Sequence, residues 1–174
     1  MTAPCFVDTN VLITARDPGD PLKQARAKEW LVHLWHEGLG RTSTQVLSEF
    51  YVNVTRRLAT PVPPEDAWRE VSTFLAWRPQ PVDAHLLYRA REIEQRWRLS
   101  WWDCTIVAAA QAQECALLLT EDLQDGADYG GVTVRSPFTL DVREPRPAYT
   151  VAAASRPRHR GRGRPRKQEV VVTK

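Results

Sequence analysis

The stretch Phe6-Val7-Asp8-Thr9-Asn10-Val11 decides how the fold of this chain is interpreted. The short apolar run 4–7 is typical of a strand buried on both faces of a sheet. It ends abruptly at an acid, a hydroxyl and an amide. Because ligands bind at the carboxyl ends of the strands in open α/β sheets, we expect Asp8 to lie at a ligand-binding edge.

Apolar periodicity along the rest of the chain predicts strands alternating with helices, and therefore a mainly parallel sheet covered on both faces. Amphipathic helices are predicted over 22–37, 44–59, from Pro64 onward, 84–97 with Asp83 as its N-cap, and 101–114 with Ser100 as its N-cap. Further strands are predicted at 41–43, 79–82, 116–119 and 132–134.

Length and composition indicate one compact domain with an appendage. The chain has 174 residues, of which 43% are hydrophobic, enough to form a core. No apolar run approaches the ~18 residues of a membrane span, and the first residues lack the pattern of a signal peptide. We therefore expect a soluble cytoplasmic protein without membrane contact. The three cysteines form no Cys-x-x-Cys pair, which favours core positions over a disulfide framework or a zinc site.

Charge divides the chain in two. From position 151 onward there are eight Arg or Lys residues and one Glu, so this part carries +7 and the first 150 residues carry −4 of the total of +3. Such a tail cannot bury a core, and we expect it to be disordered alone. The predicted organisation is a domain at 1–140, a linker at 141–155 and a basic tail at 156–174.

Acidic residues follow several of the predicted elements at one end of the sheet. Asp8 and Asp122 follow two strands, while Glu49 and Asp103 lie near the starts of two helices. In a parallel sheet these four carboxylates can converge at one edge. Two carboxylates about 4 Å apart repel by roughly 4 kcal/mol at an effective dielectric near 20. Such a cluster requires shared protons or a cation, and all-oxygen ligands favour magnesium or manganese.

Each acid also has a simpler explanation when it is taken alone. Ser100 and Asp103 fit a capping box, and Asp8 begins an Asp-Thr-Asn sequence that is common in turns. Glu49 lies on the flank of its apolar stripe, as solvated residues do, and Asp122 lies in a polar loop. Only the combination of the four favours a site.

Four motifs in order resemble PIN-domain nucleases, above all the VapC toxins of bacterial toxin–antitoxin pairs. They are Phe-Val-Asp-Thr-Asn-Val-Leu at 6–12, Leu-Ser-Glu-Phe at 47–50, Trp-Asp-Cys-Thr-Ile-Val-Ala-Ala-Ala at 102–110 and Leu-Leu-Thr-Glu-Asp-Leu at 118–123. The resemblance spans roughly 5–138. It implies a three-layer α/β/α sandwich with about five strands, magnesium-dependent cleavage of RNA, and inhibition by a small VapB-like antitoxin.

The resemblance also implies roles for individual residues. Asp8 and Asp103 match the principal metal ligands and Glu49 the third acid. The polar partner beside the first acid matches Thr9 or Asn10. Asp122, two positions after Thr120, matches the fourth acid, although Asp125 is close enough in sequence to replace it.

The basic tail departs from the family pattern. The segment 161–167 resembles an AT-hook, in which arginines enter a narrow A·T-rich minor groove. Basic tails also bind phosphate without sequence preference, and we place this second interpretation first. Deletion of the tail should therefore weaken nucleic-acid binding and its salt dependence. The candidate nucleic-acid-binding residues are Arg158, Arg160, Arg162, Arg164, Arg166 and Lys167.

Two other functions compete with a ribonuclease. One is a non-catalytic nucleic-acid-binding regulator that acts through its tail. The other is a phosphatase with Asp8 as nucleophile, which Asn10 disfavours because that chemistry usually needs a second acid there. Seven tryptophans in a small domain predict an exposed apolar patch for a homodimer or an antitoxin. Trp101 and Trp102 could also stack a base.

Overall fold

A computed structural model describes residues 3–143. The strands are β1 (Cys5–Val7), β2 (Gly40–Arg41), β3 (Leu117–Leu119) and β4 (Thr133–Arg135). The helices are α1 (Thr9–Thr14), α2 (Pro21–Glu37), α3 (Thr44–Arg56), α4 (Pro64–Phe74), α5 (Ala84–Trp97) and α6 (Trp101–Ala112), with a 3₁₀ turn at Leu75–Trp77.

The four strands form one parallel sheet in the order β2-β1-β3-β4. The predicted parallel α/β class is therefore confirmed, with four strands among the described residues where about five were expected. The predicted strand at 79–82 is reduced to one bridge between Ser43 and Gln80. Pro79 and Pro81 flank Gln80 and lack the N–H group that a longer strand would need. Gln80 donates to Thr42 O and accepts from the Thr44 N–H at this edge.

Two helices end earlier than their apolar patterns predicted. Helix α3 ends at Arg56 instead of 59, and α6 ends at Ala112 instead of 114. The sequence offered a turn as the simpler explanation of Asp8, and the structure instead begins α1 at Thr9 with Asp8 as its N-cap. Six residues make a helix that is marginal by itself. Burial of Val11 and Leu12 in the core holds it in place.

The core lies on both faces of β1 and β3. Phe6, Val7, Leu118 and Leu119 are fully buried, as the apolar sequences of these strands predict. Helix α5 packs along α6, which contacts β3, while α1 packs against α2 and α3. The helices thus flank the sheet, and the carboxyl end of every strand is left at one edge.

All three cysteines are buried, which confirms their expected place in the core. Burial raises the pKa of the Cys104 thiol to about 11 and that of Cys115 further still. Both thiols are therefore un-ionised at neutral pH and poorly nucleophilic.

Several predictions concern residues outside 3–143. The linker at 141–155 is described only as far as Arg143, and the tail at 156–174 is not described, so these boundaries remain predictions. The candidate nucleic-acid-binding residues Arg158, Arg160, Arg162, Arg164, Arg166 and Lys167 also lie outside the described residues. Across 3–143, none of the helices is long and apolar enough to traverse a bilayer.

Candidate active site

Asp8 occupies the carboxyl end of β1, and its side chain is held on both oxygens. Only 7% of the residue is exposed. Its Oδ1 accepts from the backbone N–H of Thr9 at 2.6 Å, and its Oδ2 accepts from the Thr120 hydroxyl at 2.7 Å and from Asn10 Nδ2 at 3.3 Å. The carboxylate is thus fixed at the start of α1.

The pKa of Asp8 is raised from 3.8 to about 6, because burial, together with the charges of Asp122 and Glu49, outweighs the lowering effect of the hydrogen bonds from Thr120 and Thr9. A shift of this size corresponds to about 3 kcal/mol of unfavourable free energy for the charged form. The position therefore favours a proton or a cation.

The register of the sheet explains why Thr120 meets Asp8. Val7 pairs with Leu119 in the parallel β1–β3 ladder, so the next residue of each strand, Asp8 and Thr120, emerges at the same level of the same edge. The Asp8 N–H also donates to Leu119 O at 3.1 Å. Neighbouring parallel strands thus bring together two polar side chains that lie 112 positions apart.

Asp122 joins this pair through Asn10. The Asn10 Nδ2 atom lies 3.0 Å from Asp122 Oδ2 and 2.8 Å from Thr120 Oγ1, and the Asp122 N–H donates to Thr120 Oγ1 at 3.1 Å. The amide of Asn10 therefore offers partial positive charge between the carboxylates of Asp8 and Asp122. Its Oδ1 is buried without a hydrogen-bond partner among the described residues.

Glu49 on α3 contacts the same cluster through Thr9. The Thr9 hydroxyl donates to Glu49 Oε2 at 2.8 Å, and Gln45 Nε2 donates to Oε1 at 3.0 Å. The simpler explanation of Glu49 as a merely solvated residue does not describe the structure, because both oxygens are bonded within the protein. Its carboxylate is oriented towards α1 from one turn inside α3.

The sequence analysis missed Gln45 and Thr105, which are both buried. The Thr105 hydroxyl lies 2.6 Å from Gln45 Oε1 and 2.7 Å from Trp102 O, so α6 supports the residue that orients Glu49. A usable signal was present, since Gln45 lies four positions before Glu49 on its helix. Thr105 is likewise the only hydroxyl in the apolar run 104–110.

Asp103 is not joined to the other acids by any hydrogen bond within 3–143. Its Oδ2 accepts from the Ser100 hydroxyl at 2.6 Å, and its N–H donates to Ser100 Oγ at 3.2 Å. The expected cap is therefore present, although the carboxylate accepts from the hydroxyl of Ser100 and not from its backbone. The charge of Asp103 also contributes, after burial, to raising the pKa of Tyr129.

The Asp125 side chain forms hydrogen bonds within the loop region and not with the acidic cluster. Its Oδ1 accepts from the Ser136 N–H at 2.7 Å and from Arg135 Nε at 3.3 Å. It ties the loop after β3 to the end of β4. Of the two alternatives for the fourth acid, the structure places Asp122 beside Asn10.

The donor chemistry at this edge fits a hard divalent cation, because the site offers carboxylate, hydroxyl and amide oxygens. The high pKa of Asp8 and the unpartnered Oδ1 of Asn10 both favour a positive ion. Within 3–143, however, no three His, Cys, Asp or Glu side chains are grouped closely enough to hold a metal together. Hydrogen bonds from Thr9, Asn10 and Thr120 hold the carboxylates as they stand.

Fold and site together define a parallel α/β protein with carboxylates gathered at the carboxyl edge of its sheet. Residues 5–124 match the PIN domain, and the chain belongs to that family. The resemblance to the PIN-domain family, drawn from the four motifs, is confirmed.

Two solved structures share this fold. One is VapC20 of Mycobacterium tuberculosis, a sarcin–ricin loop cleaving toxin, with 24% identity and a TM-score of 0.52 over 68% of this chain and 91% of that one. The other is a toxin–antitoxin complex from Klebsiella pneumoniae, with 22% identity and a TM-score of 0.51 over 76% and 97% of the two chains. No curated protein matches the sequence significantly.

Proposed function

We propose that this protein is a magnesium-dependent endoribonuclease of VapC type, with manganese able to replace magnesium. The observation that carries the proposal is the buried carboxylate of Asp8, whose pKa is raised to about 6 by burial and by the nearby charges of Asp122 and Glu49. An acid in such a position stabilises a bound cation, and phosphodiester hydrolysis is a reaction that such a cation promotes.

Asp8, Glu49, Asp103 and Asp122 are the proposed metal ligands and catalytic acids. When bound, a divalent cation would lower the pKa of a coordinated water and stabilise charge on the phosphate. Asn10 and Thr120 orient Asp8, while Thr9 and Gln45 orient Glu49. Asp103 would join the other ligands through its carboxylate, whose Oδ2 accepts from the Ser100 hydroxyl.

Proton transfer from the attacking water requires a general base. Glu49 is the stronger candidate, since both of its oxygens are bonded and its orientation is defined. Asp122 is the alternative and is held by a single Asn10 contact. Either carboxylate would take the proton while the water oxygen bonds to phosphorus; the P–O bond to the leaving ribose oxygen then breaks, and that oxygen takes up a proton from solvent.

Hydrolysis of single-stranded RNA tests the proposal. The purified full-length chain should cleave RNA with magnesium or manganese and lose this activity in excess chelator. Asp8→Asn should abolish cleavage. Asp66→Asn, at an exposed site on α4 paired with Arg69, is the matched control and should retain it. Full activity of Asp8→Asn, or cleavage in chelator, would remove the proposal.

We further propose a small VapB-like antitoxin as the inhibitory partner, since one structure with this fold is a toxin–antitoxin complex. Apolar side chains such as Trp68, Leu75 and Tyr88 are exposed and suit such a partner or a homodimer. Light scattering of the isolated chain distinguishes a homodimer from a monomer. The product of an adjacent small gene should abolish cleavage at an equimolar ratio.

The basic residues between 156 and 167 are proposed to contact nucleic-acid phosphates, with DNA as a possible ligand beside RNA. Deletion of 155–174 should weaken RNA binding and reduce its dependence on salt. Unchanged binding would refute this role. Comparison of A·T-rich duplex DNA with G·C-rich DNA separates minor-groove recognition from phosphate contact.

The alternative is a non-catalytic nucleic-acid-binding regulator. The observation in its favour is that no three metal-ligating side chains are grouped within 3–143. Titration with manganese discriminates the two functions. A nuclease binds the ion with an affinity that Asp8→Asn reduces, whereas a regulator without a metal site shows no such dependence.

A further inference from the structure

A groove lies between α3 and α6, next to the acidic cluster. It has a volume of about 650 Å³, and the residues that line it include Gln45, Glu49, Val52, Asn53 and Arg57 from α3 and Trp102 from α6. We call it the α3–α6 groove. Of these residues, the proposed function uses Glu49, whose carboxylate accepts from Thr9, and Gln45, which orients it.

The α3 side of the groove is one continuous helix face. Positions 45, 49, 52 and 53 are spaced by three or four residues and share a face, while Val46, Phe50 and Val54 on the other side are buried in the core. From Gln45 to Arg57 the helix rises by about 18 Å. This length accommodates two or three nucleotides of an extended strand.

Trp102 forms the opposite wall, and 64% of it is exposed. The Thr105 hydroxyl lies 2.7 Å from the Trp102 carbonyl and 2.6 Å from Gln45 Oε1, so the contact with Gln45 places this turn of α6 against α3. An indole ring exposed over a groove is a surface on which a base of any identity can stack. Burial against the core does not explain its position.

The residues that line the groove suit a nucleic-acid strand better than a protein helix. Arg57 at the outer end makes no ion pair within the described part of the chain, and its Nη1 lies 3.4 Å from Asn53 Oδ1. A helix in a groove needs several apolar anchors at i, i+3, i+4 and i+7, but Val52 and Trp102 are the only apolar residues that line this one. A flat ring, amides and a guanidinium suit a base and its phosphate.

We infer that the α3–α6 groove binds single-stranded RNA next to the scissile phosphate, with one base stacked on Trp102 and a phosphate bound by Arg57. This inference rests on the proposed function for the position of the scissile bond. Trp102 acts here as a binding residue and takes no part in the chemistry.

Binding of an eight-nucleotide single-stranded RNA to full-length protein carrying Asp8→Asn tests the inference. We would measure it by fluorescence anisotropy in chelator and at about 0.3 M salt, where long-range attraction to the basic tail is screened. Trp102→Ala should weaken binding about 5- to 100-fold, the range expected for loss of one stacked base. Trp101→Ala changes the neighbouring tryptophan, which does not line the groove, and should leave binding unchanged.

Shape separates stacking from simple apolar contact. Trp102→Phe should retain most of the affinity for RNA, whereas Trp102→Leu should not. Because both variants keep an apolar side chain, they also serve as the test if Trp102→Ala fails to fold. Equal binding by the Phe and Leu variants, or wild-type binding by Trp102→Ala, would overturn the inference. Arg57→Gln should lower the slope of log K against log salt by about one.

An abasic nucleotide moved along the RNA locates the stacked base. At one position the abasic nucleotide should weaken RNA binding by the protein that has Trp102. At the same position it should not change RNA binding by the Trp102→Ala variant. Equal losses in both proteins at every position would contradict stacking on Trp102. If the protein cleaves RNA but Trp102→Ala changes neither the affinity nor KM, the inference about the groove fails and the proposed nuclease function stands. If RNA binding depends on Trp102 but the protein does not cleave RNA, the proposed nuclease function fails and the inference about the groove stands.

Discussion

The Thr9 hydroxyl donates a 2.8 Å hydrogen bond to Glu49 Oε2, forty positions further along the chain. This bond connects the start of α1 to α3. The backbone N–H of Thr9 also donates to Asp8 Oδ1. One residue therefore holds two of the proposed catalytic carboxylates.

Replacing Thr9 by valine tests that connection. Thr9→Val preserves shape but removes the hydroxyl, so Glu49 keeps only its bond from Gln45. Because partners that orient a metal ligand contribute strongly to affinity, we expect manganese binding to weaken about 10- to 100-fold. Calorimetric titration measures it. Thr9→Ser retains the hydroxyl and should bind as the wild type does; equal affinity of the valine variant would contradict the connection.

The stability of the metal-free protein should depend on pH through Asp8. Its pKa in the folded state, about 6, lies above the value of 3.8 for the unfolded chain, so the folded state binds this proton more tightly. The contribution of Asp8 to the free energy of unfolding therefore falls as pH rises from about 4 to about 6, by roughly 3 kcal/mol in total.

The comparison of Asp8→Asn with the wild type isolates this effect. The free energy of unfolding of the variant, relative to the wild type, should increase by about 1–3 kcal/mol between pH 4 and pH 7, as measured with urea in chelator. Asparagine can still cap α1. Ser48→Ala removes no ionisable group, so the difference between its free energy of unfolding and that of the wild type should be the same at every pH. Parallel profiles for Asp8→Asn and the wild type would contradict the prediction.

Asp122 and Asp125 should separate activity from stability. Asp122→Ala removes the carboxylate beside Asn10, and we expect cleavage of RNA to fall about 100-fold or more, with little loss of stability. Asp125→Ala removes the acceptor for the Ser136 N–H and should cost about 1 kcal/mol of stability while cleavage is retained. Cleavage rates and urea midpoints of both variants decide the matter. The opposite pattern would assign the fourth acid to Asp125.

Gly40 in β2 is required by the ring of Trp77. A Cβ atom at this position would lie 2.4 Å from the indole, and Trp77 is itself packed against Phe74 and Trp35. We expect Gly40→Ala to destabilise the fold by about 1–3 kcal/mol. The matched control is Gly19→Ala, where the nearest atom belongs to the movable side chain of Asp17. If the urea midpoint of Gly40→Ala is as high as that of the control, the Trp77 ring can move to accommodate the added methyl group.

Local sequence was sufficient for most of the fold. Apolar runs defined β1 and β3, and Asp83 and Ser100 were identified as N-caps because capping needs only neighbouring residues. Helix α1 was missed for the opposite reason. Its six residues carry no decisive helical pattern, and its stability comes from burying Val11 and Leu12 against distant elements.

The candidate site was only partly predictable. The sequence by itself determined which carboxylates stand near the ends of strands and the starts of helices, and which family the motifs indicate. Tertiary structure alone decided that Asn10 lies between Asp8 and Asp122 and that Gln45 and Thr105 support Glu49. The physical reason is that hydrogen bonds form over about 3 Å. At that range the register of β1 against β3 and the docking of α6 on α3 select the partners, and neither is encoded in any local stretch of the chain.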